Sequence, residues 1–260
     1  MSHMSENTNR GFEIIHYRSI DSTNEEAKRC FLNRGERKPV LFRADEQTAG
    51  KGRNNRAFYS PADTGIYFSY LHSVGKKEEF RDRIFVTTAA AVFVAGALRK
   101  YTGADAGIKW VNDIYVDGKK VCGILAEAAV AEDATGIIVG IGINLTTADF
   151  PEEIRDIASG IGNFKEEELN SLKQNILNYV GTRLTEFFEK CENADYRASI
   201  IEEYRKLSLV IGRKVSYYKQ NQEEKSGLAS GIEEDGSLLV TLPDGSTERL
   251  ASGEIHLKLE

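Results

Sequence analysis

The chain has 260 residues and a formal net charge of −6, with 41% hydrophobic and 28% charged residues, 12 Phe and 11 Tyr among them. That is enough apolar material for one large domain, or a medium domain with a small appendage, under an ordinary solvated surface. The acidic balance excludes nucleic-acid binding through bulk charge, which needs a cationic footprint.

In chain order, residues 1–11 are polar and lack the apolar core of a signal peptide. Met1-Ser2-His3-Met4 reads as a cloning remnant and is set outside the fold. A strand is expected near residues 12–18. Ser22 with Glu25 three residues later fits a capping box, so a helix is expected from there to about Gly35, with Ala27, Cys30 and Phe31 facing inward. Residues 40–45 read as a buried strand. Residues 46–56 have no apolar period and read as a loop. Residues 65–72 alternate apolar and polar and suit a strand.

Residues 82–101 give the strongest helix, with Ile84, Thr88, Val92 and Ala95 on one stripe and Gly103 as its stop. Strands are expected at 106–110, 113–116 and 120–128, with Asp117-Gly118 as a hairpin turn, and again at 136–145. Residues 137–143, read as the longest apolar stretch, are too short to span a bilayer. Residues 166–191 form a long amphipathic helix with Leu169, Leu172, Ile176, Val180, Leu184 and Phe187 on its buried face, and Glu166-Glu167-Glu168 complement its dipole. A second helix covers 195–207. After Gly212 short alternating strands are separated by Glu234-Asp235-Gly236 and Pro243-Asp244-Gly245, the pattern of a small SH3-like β-barrel. Cys30, Cys122 and Cys191 are far apart and form no CxxC pair, so reduced, packed thiols in a reducing compartment are expected. The four histidines show no metal spacing, and no nucleophile elbow is present.

Four constellations could carry chemistry. The first is the run from Gln47 to Arg56, where Gly50 and Gly52 let the backbone approach a ligand and Lys51, Arg53 and Arg56 add the one local cluster of positive charge. It is neither a Walker loop nor a GxGxxG turn, and a solvated surface loop accounts for it equally well. The second is Ile108-Lys109-Trp110-Val111-Asn112-Asp113, with a lysine beside the only tryptophan. Either Lys109 points into a pocket, where it could stabilise developing negative charge, or it snorkels from a strand edge over a core indole. The third is Gly140-Ile141-Gly142-Ile143-Asn144, whose glycines mark either a close approach by a ligand or a twisted strand packed on a helix. The fourth is Ser22-Thr23-Asn24, a polar set at a helix N-terminus that could hold a ligand or merely cap.

Together these motifs resemble the biotin–protein ligase family. The matching stretches are Asp21-Ser22-Thr23-Asn24, Glu46-Gln47-Thr48-Ala49-Gly50-Lys51-Gly52-Arg53, Phe58-Tyr59-Ser60-Pro61, Lys109-Trp110-Val111-Asn112-Asp113, Gly123-Ile124-Leu125-Ala126-Glu127 and Gly140-Ile141-Gly142-Ile143-Asn144, with Ser252-Gly253-Glu254 in the tail. Six motifs in order over residues 12–145 are far more specific than any one of them. The resemblance implies an α+β fold: a mixed β-sheet catalytic domain flanked by helices, of the class II synthetase-like biotin ligase type, over residues 5–210. A small C-terminal SH3-like β-barrel follows over residues 211–260.

It further implies an ATP-dependent ligase of the biotin–[acetyl-CoA-carboxylase] type. Biotin's carboxylate attacks the α-phosphate of ATP to give biotinyl-5′-AMP. A lysine of a biotin carboxyl carrier protein then displaces AMP. In family terms Lys109 and Arg53 are catalytic. Ser22, Thr23, Asn24, Gln47, Gly50, Lys51, Gly52, Arg53, Lys109, Gly123, Leu125 and Gly140 hold biotin. Lys51, Arg53, Arg56, Phe58, Lys109, Asn112 and Asn144 hold ATP and the adenylate, with Phe58 under the adenine. Mg²⁺ enters with ATP, Asp113 being a candidate ligand, and no tightly bound metal is expected.

The sequence departs from the family pattern at Val111, where proline is common, and at Lys51, which keeps an arginine's charge without its fork. It also departs at Asn55, which replaces a glycine but tolerates the left-handed region, and at Phe58, a smaller stacking face than tryptophan. Only about ten polar residues precede the first strand, so a form without DNA-binding function is expected, cytoplasmic, with no membrane attachment, as a monomer or homodimer. One rival is a lipoate or octanoate ligase or transferase, which would want an apolar tunnel instead of Ser22-Thr23-Asn24 and Gln47. Others are a non-catalytic biotin or nucleotide sensor, and a β-rich interaction protein.

Overall fold

Strand alternation and helical periodicity combine into one mixed sheet between helices, with a second sheet at the C-terminus. The computed structural model describes residues 4–7, 11–75, 83–146, 150–218, 224–251 and 255–257. The first sheet contains β1 (Met4–Asn7), β2 (Glu13–Ile20), β3 (Val40–Gln47), β4 (Gly65–Gly75), β5 (Gly107–Lys109), β6 (Asp113–Val116), β7 (Lys119–Val130) and β8 (Ala134–Asn144), in the order β1-β2-β3-β4-β8-β7-β6-β5. Only β2 and β3 run parallel, because α1 (Thr23–Asn33) forms the crossover between them; the other neighbours are antiparallel.

Side-chain alternation divides the core between the two faces. Val40 and Phe42 of β3 pack with Ala27, Cys30 and Phe31 of α1, whereas Leu41 joins the larger core under the remaining helices. Those are α2 (Arg83–Thr102), α3 (Glu166–Lys190) and α4 (Ala194–Leu207). The expected buried face of α3 is buried as read, from Leu169 to Phe187.

Helix α2 differs from its expected stripe. Every residue from Phe85 to Ala95 is buried, because α2 is packed by the sheet, α3 and α4 on all sides. The longest apolar run is also here, Ala89 to Leu98, and not at residues 137–143. Ile84–Thr102 is long and apolar enough to cross a membrane by length and composition, but most of it is buried inside the protein, as in a core helix.

The second sheet comprises β9 (Lys214–Tyr218), β10 (Glu224–Ile232), β11 (Leu238–Thr241), β12 (Thr247–Leu250) and β13 (Ile255–Leu257), ordered β12-β11-β10-β9-β13. Its Val215, Tyr217, Ala229 and Ile232 belong to the same core as α2, so the small sheet is docked rather than tethered. Trp110 Nε1 donates to Gly236 O at 2.9 Å, and the Arg205 guanidinium donates twice to Ile232 O, at 2.9 and 2.6 Å.

Three local expectations are corrected. Met4, set outside the fold with residues 1–3, belongs to β1, where it pairs with His16; residues 1–3 lie outside the described residues. Ser22 is the N-cap of α1 in extended geometry, but the capping box does not form: its side chain makes no cap bond, and Glu25 instead accepts from Lys28 and Lys51. The left-handed residue in the glycine loop is Asn54 (φ 55°), one position before the asparagine expected to take that role. The hairpin turn at Asp117-Gly118 holds, with φ of 50° and 77°.

Candidate functional site

A cavity of about 340 Å³ opens where the N-terminus of α1, the loop after β3 and the β4-β8-β7-β6-β5 part of the sheet converge. At the α1 end its wall is a set of polar side chains already bonded to one another. Gln47 Oε1 accepts from Thr23 N (2.9 Å) and Thr23 Oγ1 (3.1 Å). Gln47 Nε2 donates to Ser60 Oγ (3.0 Å), and Ser60 Oγ donates to Phe58 O (3.0 Å). The fully buried Ser69 hydroxyl of β4 lies 2.7 Å from Thr23 Oγ1 and 2.5 Å from Asn24 Oδ1. Ser22, Thr23 and Asn24 are themselves buried, so the bonds among these groups hold one another in place.

The floor is made of glycine. Ser69, Gly140 and Leu125 align across β4, β8 and β7, and the neighbouring row is Tyr67, Gly142 and Gly123. A Cβ at Gly140 would lie 2.1 Å from Asn24 Oδ1, and one at Gly142 would lie 2.3 Å from the Phe58 ring. The sequence offers the strand glycines as room for a ligand or for helix packing. In the structure they first make room for two side chains of this chain, Asn24 and Phe58, which then line the cavity. Gly50 does not line it: a Cβ there would lie 2.4 Å from Phe58 O, so Gly50 lets the two arms of its own hairpin approach.

The loop is that hairpin. Phe58 N bonds Gly50 O (2.9 Å), Gly52 N bonds Arg56 O (2.7 Å), and Lys51 bridges to Ala57. Its cations reach opposite sides of the cavity. Lys51 Nζ pairs with Glu25 on α1 at 2.7 Å, and Arg53 Nη1 donates to Asn112 Oδ1, between β5 and β6, at 2.8 Å. Asn112 is oriented for this by bonding Ile124 O through Nδ2 at 2.9 Å. Glu25 is held below the ordinary carboxylate range, chiefly by the hydrogen bond from Lys51, with Lys28 adding to it.

At the β5 end Lys109 Nζ lies over the Tyr115 ring, 5.4 Å from its centroid. Lys120 Nζ is 2.6 Å from Asp113 Oδ1, an ion contact and not an aligned hydrogen bond, since that oxygen has no hydrogen-bond partner among the described residues. Among the described residues the wall carries five cations, Lys51, Arg53, Arg56, Lys109 and Lys120, against one carboxylate, Asp113. In a chain of net charge −6 this is a local anion trap. Among the described residues no three His, Cys, Asp or Glu gather as for a metal cage.

Gly50 apart, every residue singled out for binding or catalysis faces this one cavity: Ser22, Thr23, Asn24 and Gln47 at one end, Lys51, Gly52, Arg53, Arg56 and Phe58 in the loop, and Lys109, Asn112, Asp113, Gly123, Leu125, Gly140 and Asn144 along the sheet. Trp110 is both core and cavity wall. The sequence reading missed Lys120 and Tyr115, which stand beside quoted motifs. It also missed Phe150, Ile154 and Ile157 of the segment after β8, and Ile255 and His256 of β13. A lysine three residues before Gly123 was a readable signal; the β13 residues, more than a hundred positions away, gave none. The tail motif Ser252-Gly253-Glu254 lies outside the described residues, immediately before them.

Residues 17–144 match the biotin/lipoate A/B protein ligase family, and residues 210–258 match the biotin protein ligase C-terminal domain. The chain is 30% identical to the bifunctional ligase/repressor BirA of Escherichia coli (strain K12) over 246 residues, which cover 92% of this chain and 72% of that protein. The chain belongs to the biotin/lipoate A/B protein ligase family. Another relative, the biotin–[acetyl-CoA-carboxylase] ligase of Mycobacterium tuberculosis, is 28% identical over 84% of this chain and 79% of its own length. Among solved structures, the biotin protein ligase of Aquifex aeolicus in complex with biotin and ATP superposes with a TM-score of 0.74 at 28% identity, covering 95% of this chain and 99% of that one. The mixed sheet flanked by helices, with its small C-terminal β domain, is thus the biotin ligase fold, and this member of the family is a ligase enzyme.

Proposed function

We propose that the protein joins biotin to a lysine of a carrier protein at the expense of ATP, by way of biotinyl-5′-AMP, in the cytoplasm. The observation that carries the reading is the pairing within one cavity of a prebuilt polar set with a wall of five cations. A bicyclic urea needs fixed donors and acceptors, which Thr23, Asn24 and Gln47 supply. A carboxylate meeting a triphosphate needs concentrated positive charge, which Lys51, Arg53, Arg56 and Lys109 supply. The relatives named for biotin ligation, and the superposable structure holding biotin and ATP, support both substrates.

In the first step a biotin carboxylate oxygen bonds to the α-phosphorus, the bond to the bridging oxygen breaks, and pyrophosphate leaves. Arg53, held at Asn112, and Lys109 offset the charge that builds on the α-phosphate oxygens. In the second step the carrier's neutral lysine amine attacks the acyl carbon, AMP leaves, and the amine loses a proton. Mg²⁺ would arrive on the ATP phosphates. Asp113 already holds Lys120 through one oxygen, so phosphate and water fit better as its ligands. We divide the chain for these roles into a catalytic part, residues 5–210, and a C-terminal part, residues 211–260, which adds Ile255 and His256 to the wall.

Biotin-dependent ATP–pyrophosphate exchange tests the reading, with lipoate and octanoate as controls. Exchange with biotin and not with the other two acids is expected. Exchange only with lipoate or octanoate would transfer the reading to the other branch of the family.

A further inference from the structure

Asn24 lines the cavity, but what decides which end of its amide is oxygen lies behind it. Asn24 Nδ2 is 2.7 Å from Glu127 Oε2, while Oδ1 is 2.5 Å from the buried Ser69 hydroxyl. The two ends of an asparagine amide are nearly the same shape, so shape alone would not choose between them. An ionised carboxylate only accepts hydrogen bonds, so it must face the NH₂ end. Gly140 completes the seat, since the amide lies so close to that strand that a Cβ would collide with it. Glu127 itself is not on the cavity wall.

The carboxylate is in turn paired with a cation. Lys28 Nζ pairs with Glu127 Oε1 at 2.7 Å and with Glu25 Oε1 at 3.0 Å, and Glu25 also takes Lys51. Burial pushes the Lys28 ammonium down, but its two carboxylate partners outweigh this and leave it above its ordinary value, so it stays charged. We propose that Glu127, backed by Lys28, is a positioning residue: it locks the Asn24 amide in one orientation and so sets the donor–acceptor pattern that selects the ring of the acid substrate. The inference rests on the ligase reading above. A cyclic urea presents N–H and C=O groups at set places and meets a turned amide donor to donor. An acid with no polar ring does not register the turn.

Kinetics of Glu127→Gln test this. The substituted amide has one carbonyl oxygen for two donor-only neighbours, Lys28 and Asn24 Nδ2. The ammonium takes it, and the NH₂ end is left facing Asn24, whose amide must turn. KM for biotin in pyrophosphate exchange should rise about tenfold or more, with KM for ATP unchanged and a much smaller fall in kcat at saturating biotin. Preference for biotin over octanoate should narrow in step. Adding Lys28→Met to Glu127→Gln removes the competing donor, returns the carbonyl to Asn24 and should recover much of the biotin KM. An unmoved biotin KM, equal rises in both KM values, or no recovery in the double variant would overturn the inference while leaving the ligase reading intact. Absence of biotin-dependent exchange in the parent protein would remove that reading, and this inference with it.

Discussion

At the α1 end of the cavity the polar side chains are bonded to one another, with Thr23, Asn24, Ser60 and Ser69 buried: Thr23 to Gln47, Gln47 to Ser60, Asn24 to Ser69 and Glu127. On the hairpin and toward β5 they are long cations, Lys51 drawn back to Glu25 of α1, Arg53 to Asn112 and Lys109 to the Tyr115 ring. The difference follows from what each end must do. A neutral ring is recognised by hydrogen bonds, whose directions are worth fixing during folding, when side-chain entropy is lost in any case. Negative charge that develops during a reaction is met by cations, and cations gathered without an anion repel each other. They are therefore parked on carboxylate, amide and aromatic partners from which a phosphate can recruit them. From its glycines and like charges alone, the hairpin is expected to have little to pack on when empty; its backbone bonds and the Lys51 and Arg53 contacts anchor it on both sides.

Arg53→Ala should produce the largest effect. It removes the cation that links loop to sheet, and pyrophosphate exchange should fall by about 100-fold or more at any biotin concentration; near-normal turnover would show that the cationic end is not catalytic. Gly140→Ala probes the opposite end. Its Cβ would lie 2.1 Å from Asn24 Oδ1, so the amide must leave, and the biotin KM read from initial rates should rise by about 10- to 100-fold with ATP affinity kept. Loss of ATP affinity instead would erase the distinction between the ends.

Two smaller effects concern the frame. Trp110→Phe removes the donor to Gly236 O between the two sheets and some ring volume, and should lower unfolding stability in urea by about 1–3 kcal/mol. His72, stacked on Phe188 at 4.2 Å with its Nδ1 unpartnered among the described residues, is pushed down by burial to about 4. The unfolded chain binds that proton near pH 6.5, well above the native state, so His72 lowers stability progressively as pH falls from about 6.5 to 4 and not above that window. His72→Phe should flatten the acid limb of a thermal-stability profile over that range and leave the biotin KM alone. A KM that follows His72 would mean the sites are coupled through β4.

Much of this was readable in the sequence. The 3.6-residue period placed α3, and Asp117-Gly118 placed a turn, because each depends on a few neighbouring residues. Helix α2 was found, but its all-round burial was not, since burial depends on what distant segments bring to its outer side. The site was legible where chemistry is local, as in Thr23-Asn24 or Lys109-Trp110. Glu127 could be quoted as part of a motif but given no role, because its partner Asn24 is a hundred positions away and meets it only when α1 crosses β7. His256 was invisible for the same reason. Gly50 was read through a ligand, and Gly142 through a ligand or a helix, yet the first obligation of each is to a neighbour in the chain, Phe58.

The division of labour between the two ends is tested most directly by comparing Thr23→Val with Lys109→Ala in biotin-dependent pyrophosphate exchange, titrated to saturating biotin. The polar-end variant should be slow at low biotin and recover toward the wild-type rate as biotin saturates. The cationic-end variant should stay slow at every concentration. If both recover, or if neither does, ring binding and charge stabilisation are not separate tasks of the two ends, and the division between them is contradicted.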